Sequence, residues 1–257
     1  MQQAPVDLTV ELPRPPSLED FEFSLPKSTL GIYSKAAVAT DTRPCGGIGV
    51  EILRQHGTAV DAAIAVLACN GAVHPHSLGL GGGFFMTIFV KSENKTYFLN
   101  ARETAPQAAH ETMFTQNPLE SQVGPKSIAV PGELLGYVEA KERFGNDQLS
   151  LMDLLEPTIQ LCQNGIKVTR SLEKAMKASS KKLDSYQGLR DEFTNPATGK
   201  LYKMNEIMKR EKFAETLTKI GESGSDIIYK GELGEQIVKE IQDGGGIITM
   251  KDLENYK

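Results

Sequence analysis

The sequence predicts an α+β fold in which antiparallel strands occupy the middle of the chain and helices flank them. Two helical patterns rich in apolar residues come first, a strand–turn–strand pattern follows, and the patterns after Ser150 are nearly all helical. The chain has 257 residues, 40% of them hydrophobic, which is enough for a sizeable core. No internal repeat of 20 to 50 residues is apparent, so we expect one continuous globular body.

The first thirty residues differ from the rest in composition. Acidic and polar residues surround five prolines there, at positions 5, 13, 15, 16 and 26. This composition is typical of a disordered or extended leader, so we assign residues 1–30 to a leader and residues 31–257 to the folded body. The leader lacks the basic start and apolar core of a signal peptide, and no export signal is predicted from the sequence as written.

The charge balance and the longest apolar segment exclude two classes of partner. Lys and Arg number 28 against 33 Asp and Glu, a formal charge of -5, so there is no basic surplus to neutralise a phosphate backbone and nucleic acid is not an expected partner. The longest apolar run, Ala59 to Val73, contains Asp61 and Asn70. It is shorter than the about 20 apolar residues of a membrane span, so no transmembrane helix is predicted.

The first two helices are predicted from their caps and their periodicity. Pro44 suits the first turn of a helix that ends at His56 and Gly57. Thr58 and Asp61 then form a capping box that opens a second helix, which is apolar nearly all round and ends near Gly71. We therefore expect the second helix to be buried.

A glycine run precedes the predicted strands. Glycines at positions 79, 81, 82 and 83 lead into a central strand, Phe84–Val90, and Thr96–Asn100 returns antiparallel as the second strand of a hairpin. The run fits neither a dinucleotide fingerprint nor a phosphate loop, so no nucleotide cofactor is expected. It indicates either backbone that packs unusually close to a neighbour or, for any single glycine, a plain loop.

The remaining patterns predict helices. We expect them over Gly132–Phe144, from Ser150 with Asp153 as its capping box, over Asn205–Ile220 and over Glu232–Ile241. The basic stretch Lys167–Lys212 also contains many acids, and we interpret it as a solvated helical face. A last capping box, Thr249 with Asp252, opens a helix that we expect the end of the chain to cut off.

The cysteines leave two interpretations open. Cys45 and Cys69 fall at adjacent ends of the predicted helical hairpin, where they form either a disulfide or two packed thiols. A disulfide there would stabilise the fold by roughly 3 kcal/mol. Cys162, inside a helix, is predicted to be a core thiol. Asn94-Lys95-Thr96 is a glycosylation acceptor at the hairpin tip, and with the cysteine pair it favours an oxidising compartment.

Other polar residues offer weaker indications. His74 and His76 have a spacing that could serve a metal, but no further ligand follows at a suitable distance, so a structural role is favoured and no metal site is predicted. Arg102 lies just beyond the second strand, where a guanidinium could bind a substrate carboxylate or form a surface ion pair. The Gly-x-Ser-x-Gly pattern is absent from the sequence, so we assign no catalytic nucleophile to this chain.

Five segments together resemble a known family, the γ-glutamyltransferases, also called γ-glutamyl transpeptidases or glutathione hydrolases. The resemblance is to the amino-terminal, large-subunit portion and runs from about Gly31 to Lys257. The segments are Gly46–Asn70 with Ala59-Val60-Asp61-Ala62-Ala63, His76-Ser77-Leu78-Gly79-Leu80-Gly81-Gly82-Gly83, Asn100-Ala101-Arg102-Glu103, Ala129-Val130-Pro131-Gly132-Glu133 and Gly245-Gly246-Ile247-Ile248-Thr249. The glycine run and Asn-Ala-Arg-Glu are the most specific.

The resemblance implies a four-layer αββα sandwich of the amino-terminal-nucleophile hydrolase type, incomplete without the small subunit. It implies a precursor that cleaves itself into two subunits and needs no cofactor. The new amino-terminal threonine of the small subunit attacks the γ-glutamyl amide of glutathione or its conjugates, and the acyl-enzyme passes the glutamyl group to water, an amino acid or a dipeptide.

The resemblance also assigns residues. It implies that Arg102 binds the α-carboxylate of the glutamyl group, that Cys45 and Cys69 form a disulfide as in animal members, and that the protein works outside the cell or on the outer face of the plasma membrane. The family's nucleophile, its paired serines and its oxyanion glycines follow the last residue of this sequence. Because the last predicted helix is opened and then not continued, we interpret the sequence as a fragment of a longer precursor. The alternatives are a truncated, non-catalytic binding or decoy protein and an acylase of the same fold.

Overall fold

The computed structural model describes residues 31–257. The leader assigned to residues 1–30 lies outside the described residues. Residues 31–36 belong to one unit of the chain, are exposed and form neither helix nor strand. Residues 37–257 form a second, compact unit, which contains the helices and strands described below.

Helices and short antiparallel sheets alternate along the compact unit. The helices are α1 (Arg43–Arg54), α2 (Ala59–Val73), α3 (Glu133–Phe144), α4 (Leu151–Asn164), α5 (Arg170–Ala178), α6 (Ser180–Ser185), α7 (Gln187–Phe193), α8 (Glu211–Ser223), α9 (Asp226–Tyr229), α10 (Glu232–Asp243) and α11 (Met250–Glu254). The strands are β1 (Phe84–Val90), β2 (Lys95–Ala101), β3 (Ile166–Lys167), β4 (Thr194–Asn195), β5 (Lys200–Leu201) and β6 (Ile207–Met208).

The first two helices match the sequence prediction, including the capping box of α2. The Thr58 hydroxyl accepts hydrogen bonds from the amides of Val60 and Asp61, each at 3.2 Å. Asp61 Oδ2 in turn accepts from the Thr58 amide at 2.8 Å and from the Asn146 amide at 2.8 Å. The bonds from Thr58, Val60 and Asp61 satisfy amides at the start of α2 that have no partner within the helix. The bond from Asn146 joins the start of α2 to the segment between α3 and α4. The predicted burial is confirmed, because α2 is buried along almost its whole length.

The structure contains a disulfide between Cys45 in α1 and Cys69 in α2. Their Cα atoms lie 5.4 Å apart and both residues are 0% exposed. The bond joins the start of α1 to the end of α2, which are neighbours because the two helices are antiparallel. Cys162 in α4 is a free, buried thiol, as predicted. Burial raises the pKa of the Cys162 thiol to about 11, so it stays protonated at neutral pH.

Removing the disulfide should cost stability. We expect the double substitution Cys45→Ala and Cys69→Ala in the complete protein to lower the free energy of unfolding by about 3 kcal/mol, because the unfolded chain regains the entropy of an open loop. Urea titration measures the loss. Mass spectrometry of a non-reduced digest should recover Cys45 and Cys69 in one linked peptide pair. Equal stability of the variant and the oxidised wild type would contradict a stabilising bridge.

The strands β1 and β2 form the predicted hairpin, with Phe84 opposite Ala101. Within the described residues β1 pairs with β2 alone, so it is not the central strand of a larger sheet there. One face of the hairpin packs on α2 and α3. Its inward side chains include Phe84, Met86, Ile88, Tyr97 and Leu99. The opposite face exposes Phe85, Phe89 and Phe98, which are 60 to 66% exposed.

The main core lies among the helices. α4 opens with the predicted capping box, in which the Ser150 hydroxyl accepts from the Asp153 amide at 3.1 Å. α2 and α8 pack against α4, and α9, α10 and α11 extend the same cluster. The fully buried side chains Leu155, Leu217 and Ile220 belong to this core. The helices predicted at 132–144 and 232–241 are confirmed as α3 and α10 within one or two residues.

Residues 166–210 differ from the solvated helical face that the charges predicted. This segment, here named the 166–210 lobe, contains α5 to α7 and two small antiparallel pairs, β3 with β6 and β4 with β5. It has a hydrophobic cluster of its own. The cluster consists of Val168, Leu172, Met176, Leu183, Phe193, Tyr202 and Met208. The charged residues lie outside this cluster, which explains why charge alone misled the prediction.

The helix predicted over 205–220 begins later, at Glu211. Ile207 and Met208 pair with β3 instead, and Asn205 has a φ of 72°, which is outside the helical region. Arg210 then ends the 166–210 lobe as a buried residue. Its Nη1 donates to the carbonyl of Ala72 at 3.0 Å, at the end of α2, and its Nε pairs with Glu192. A cation at a helix carboxyl end is electrostatically favourable, so Arg210 ties the lobe to α2.

The last helix is short and complete. The Thr249 hydroxyl accepts from the Asp252 amide at 3.3 Å, which confirms the capping box, and α11 ends at Glu254. The expectation that the end of the chain would cut this helix is therefore wrong. Among the helices of the described residues, none has the length and apolar character needed to cross a membrane.

Candidate functional site

Arg102 lies at the first position after β2 with its guanidinium held from two sides. Nη1 donates to the carbonyl of Gly83 at 3.0 Å, and Nη2 pairs with Glu103 Oε2 at 3.0 Å. The guanidinium carbon also lies 5.8 Å from the centre of the Phe85 ring. The side chain is nevertheless 49% exposed, so part of the guanidinium remains open to a ligand. A fork of this kind matches the geometry of a carboxylate.

The glycine run allows the start of β1 to approach Arg102. A Cβ on Gly83 would lie 2.3 Å from the carbonyl oxygen of Ala101 and 2.9 Å from the Cα of Arg102. No side chain fits there, so the predicted close approach is confirmed at this position. A Cβ on Gly81, by contrast, would have no heavy atom within 4 Å, so that glycine lies in open loop.

The backbone of Arg102 is also fixed. Its amide donates to Asn100 Oδ1 at 3.1 Å, and its carbonyl accepts from the Tyr256 hydroxyl at 2.7 Å. The Tyr256 ring stacks on Tyr229, with ring centres 6.0 Å apart. Tyr256 is 154 residues from Arg102 in the chain, so no local pattern could have predicted this contact.

Two carboxylates lie beside the glycine loop. Glu103 pairs with Arg102, and Glu133, at the first position of α3, is only 3% exposed. Burial raises the pKa of Glu133, and the nearby charge of Glu103 raises it further, while hydrogen bonds from the Tyr137 hydroxyl and the Gly79 backbone lower it. Tyr137 is fully buried, and its pKa is raised well above the usual value, first by burial and then by the charge of Glu133.

Sequence reasoning did not single out Glu133 or Tyr137 as site residues. One signal was present, because an acid at the start of a predicted helix is favoured by the helix dipole. That signal explains an exposed glutamate as well as a buried one. The burial of Glu133 depends on the distant glycine loop, and it appears only in the folded chain.

The two histidines, His74 and His76, contact the 166–210 lobe. His74 Nε2 lies 2.9 Å from the Thr169 hydroxyl and His76 Nε2 lies 3.1 Å from the Ser171 hydroxyl, both at the start of α5. Burial lowers the pKa of each imidazole. These contacts support the structural role that the sequence favoured, since both rings bond hydroxyls of the 166–210 lobe.

Asn94 lies in the turn between β1 and β2, as the sequence predicted. Asn94 is exposed and has a φ of 52°, a conformation that asparagine tolerates better than most residues. Thr96, the hydroxyl residue of the acceptor triplet, is exposed as well. The triplet is therefore accessible on the folded surface.

Comparisons with known proteins identify the family of the chain. A family model described as gamma-glutamyltranspeptidase matches residues 45–257. The chain belongs to this family. It is 42% identical over 230 residues to Scoloptoxin SSD14 of Scolopendra dehaani, covering 90% of this chain and 40% of that protein. It is 39% identical over 220 residues to glutathione hydrolase 2 of Arabidopsis thaliana, covering 86% and 37%.

Solved structures of γ-glutamyltranspeptidases share the fold. The enzyme from Pseudomonas nitroreducens matches with a TM-score of 0.78 and 34% identity, over 88% of this chain and 66% of that one. The fold class predicted for the chain, an α+β fold of the amino-terminal-nucleophile hydrolase type, is thereby confirmed. Of the sheets in the predicted αββα sandwich, the described residues contain only two-stranded pairs. The chain spans about two fifths of the length of the two relatives it was compared with.

Proposed function

We propose that the complete protein containing this chain is a γ-glutamyltransferase that cleaves the γ-glutamyl amide bond of glutathione and related compounds. The observation that carries the proposal is the half-exposed Arg102 guanidinium, held at the end of β2 by Gly83 and Glu103. Membership of the γ-glutamyltranspeptidase family over residues 45–257 supports the same activity.

In this proposal Arg102 binds the free α-carboxylate of the glutamyl group. The contact leaves the γ-amide of the substrate pointing away, toward a threonine supplied by the remainder of the precursor. The threonine oxygen bonds to the amide carbon, the carbon–nitrogen bond breaks, and the amine leaves with a proton. Water, an amino acid or a dipeptide then takes the glutamyl group and releases the threonine.

The partner we propose for this chain is its own small subunit. Relatives named proenzymes support a processed, two-part protein. The outer face of the β1–β2 hairpin supports it too, because Phe85, Phe89 and Phe98 are exposed together. An aromatic face of this kind is costly in water. A second β-layer contributed by the small subunit would cover it.

We propose an extracellular location, or one on the outer face of the plasma membrane. The disulfide between Cys45 and Cys69 supports this location, because such bonds persist in oxidising compartments. The exposed Asn94 triplet at the hairpin turn supports it as well.

Glycosylation at Asn94 can be tested directly. We expect the complete protein, secreted from a eukaryotic host, to lose mass on treatment with an endoglycosidase that removes N-linked glycans. The substitution Thr96→Ala should abolish the glycan on Asn94, because the acceptor triplet needs the hydroxyl residue. Peptide mass spectrometry of residues around 94 reads the result. A secreted protein with Asn94 unmodified would contradict the assignment.

The proposed activity has an equally direct test. The complete precursor, purified from a secreting host, should split into two chains and release the aniline from a γ-glutamyl anilide. An uncleaved and inactive protein that still binds glutamate would instead indicate the decoy function. Turnover of other acyl anilides with no preference for the glutamyl group would indicate an acylase.

A further inference from the structure

Glu133 is a buried carboxylate whose contacts are with neutral groups. It is 3% exposed, and one of its oxygens accepts a hydrogen bond from the Tyr137 hydroxyl. Glu133 Oε2 also lies 3.6 Å from the Cβ position of Gly82, in the glycine loop. Burying a carboxylate is costly unless hydrogen bonds replace its water. The Glu133 side chain therefore contacts two parts of the chain, α3 through the Tyr137 hydroxyl and the glycine loop at Gly82.

The backbone of the same residue holds the other end of the glycine loop. The amides of Gly132 and Glu133 both donate to the carbonyl of Gly82, each at 3.0 Å. The loop closes on itself through the Gly82 amide, which donates to the Gly79 carbonyl at 2.8 Å. Glu133 therefore contacts the 79–82 turn at Gly82 with both its backbone and its side chain.

The turn leads directly into the group that orients Arg102. Gly83 follows Gly82, and its carbonyl accepts from Arg102 Nη1 at 3.0 Å. The Cβ position of Gly82 would lie 3.6 Å from both Glu133 Oε2 and Glu103 Oε1, so Gly82 passes between the two carboxylates. A rotation of the turn would move the Gly83 carbonyl away from the guanidinium.

We propose that Glu133 is a positioning residue for substrate binding: it fixes the 79–83 loop so that the Gly83 carbonyl holds the Arg102 guanidinium toward the substrate carboxylate. The expected effect on substrate binding rests on the proposed function, whereas the expected effect on the conformation of the 79–83 loop does not. Glu133 itself is 3% exposed and acts through the loop and Arg102.

The kinetic test uses Glu133→Gln in the complete protein, with Glu142→Gln as the matched control. Glu142 is an exposed glutamate on the same helix, α3. Glutamine has the same size but lacks the negative charge and one of the two acceptor oxygens, so the contacts of the side chain with the Tyr137 hydroxyl and with the loop at Gly82 are weakened. We expect the KM for a γ-glutamyl anilide to rise about tenfold, the scale of one hydrogen bond to a charged group, with kcat within about twofold of wild type. The control should match wild type.

A merely structural role gives a different pattern. It would lower the amount of active enzyme, and so the apparent kcat, with KM unchanged, and that result would overturn the proposal. Hydrogen exchange of the complete protein provides a readout that does not need activity. Peptides covering 79–83 should exchange faster in Glu133→Gln, while peptides covering α4 and α8 keep the wild-type rate.

A second variant keeps the test open if Glu133→Gln does not accumulate as folded protein. Tyr137→Phe removes only the hydroxyl that donates to Glu133 and should also speed exchange at 79–83. Unchanged exchange of the loop in the folded variants would overturn the proposal. If the wild-type protein turns over no γ-glutamyl anilide but the loop exchanges faster in the variants, the proposed function fails and only the fixing of the 79–83 loop by Glu133 stands.

Discussion

Replacing Arg102 with alanine in the complete protein should lower kcat/KM for a γ-glutamyl anilide by at least roughly 30- to 150-fold. This factor corresponds to a loss of about 2 to 3 kcal/mol of transition-state stabilisation. The reason is the loss of a charged, hydrogen-bonded pair between the guanidinium and the substrate α-carboxylate. We expect much of the loss in KM, because the carboxylate is bound both before and during the reaction. Steady-state kinetics on purified, processed enzyme measures it.

Arg102→Lys is the informative companion variant. Lysine keeps the positive charge but loses the planar fork, so it cannot bind a carboxylate through two parallel N–H groups while it also reaches Gly83 and Glu103. We therefore expect it to recover only part of the lost kcat/KM. Kinetics of the alanine variant equal to wild type would show that Arg102 is a surface ion-pair residue.

Gly83→Ala should have the second-largest effect, on stability as well as on binding. The added Cβ would lie 2.3 Å from the Ala101 carbonyl oxygen, a backbone atom held by the pairing of Phe84 with Ala101. The strand pair must separate locally, which we expect to lower the free energy of unfolding by about 3 kcal/mol. It should also raise KM, because the same shift moves the Gly83 carbonyl from Arg102.

Gly81→Ala is the matched control for that experiment. It makes the same chemical change two residues away, where a Cβ meets no heavy atom within 4 Å. Its unfolding free energy should stay within about 0.5 kcal/mol of wild type. Urea titration of the complete protein compares the two variants. Equal midpoints for both would mean that the close approach at Gly83 has no energetic consequence.

The parts of the fold that the sequence predicted well are those with a strong local cause. Capping boxes at Thr58, Ser150 and Thr249 fix the starts of α2, α4 and α11 through bonds within four residues. The β1–β2 hairpin combines a turn with aromatic and β-branched strands, and it too is local. The 166–210 lobe is different, because its strands have only two residues each. The sequence around Ile207 predicts a helix, and only the folded chain shows that Ile207 pairs with Lys167 in a strand.

The candidate site was predicted in the same uneven way. Arg102 could be found because it follows a recognisable strand and lies in a specific family motif. Glu133 and Tyr256 could not, since each reaches the site across a long stretch of chain. The helix dipole predicts an acid at the position of Glu133 but not its burial against Gly82. Such contacts depend on how α3 and the glycine loop pack, which local patterns do not encode.

The most direct test of the central claim pairs Arg102 with the group it is proposed to bind. A 4-aminobutyryl anilide is a γ-glutamyl anilide without the α-carboxylate. Wild type should prefer the glutamyl substrate by roughly 30-fold or more in kcat/KM. Arg102→Ala should lose most of that preference, since the variant has no guanidinium to pair with the α-carboxylate and both substrates then bind alike at this position. An alanine variant that keeps the full preference would contradict the account, because the carboxylate would then be bound by another group.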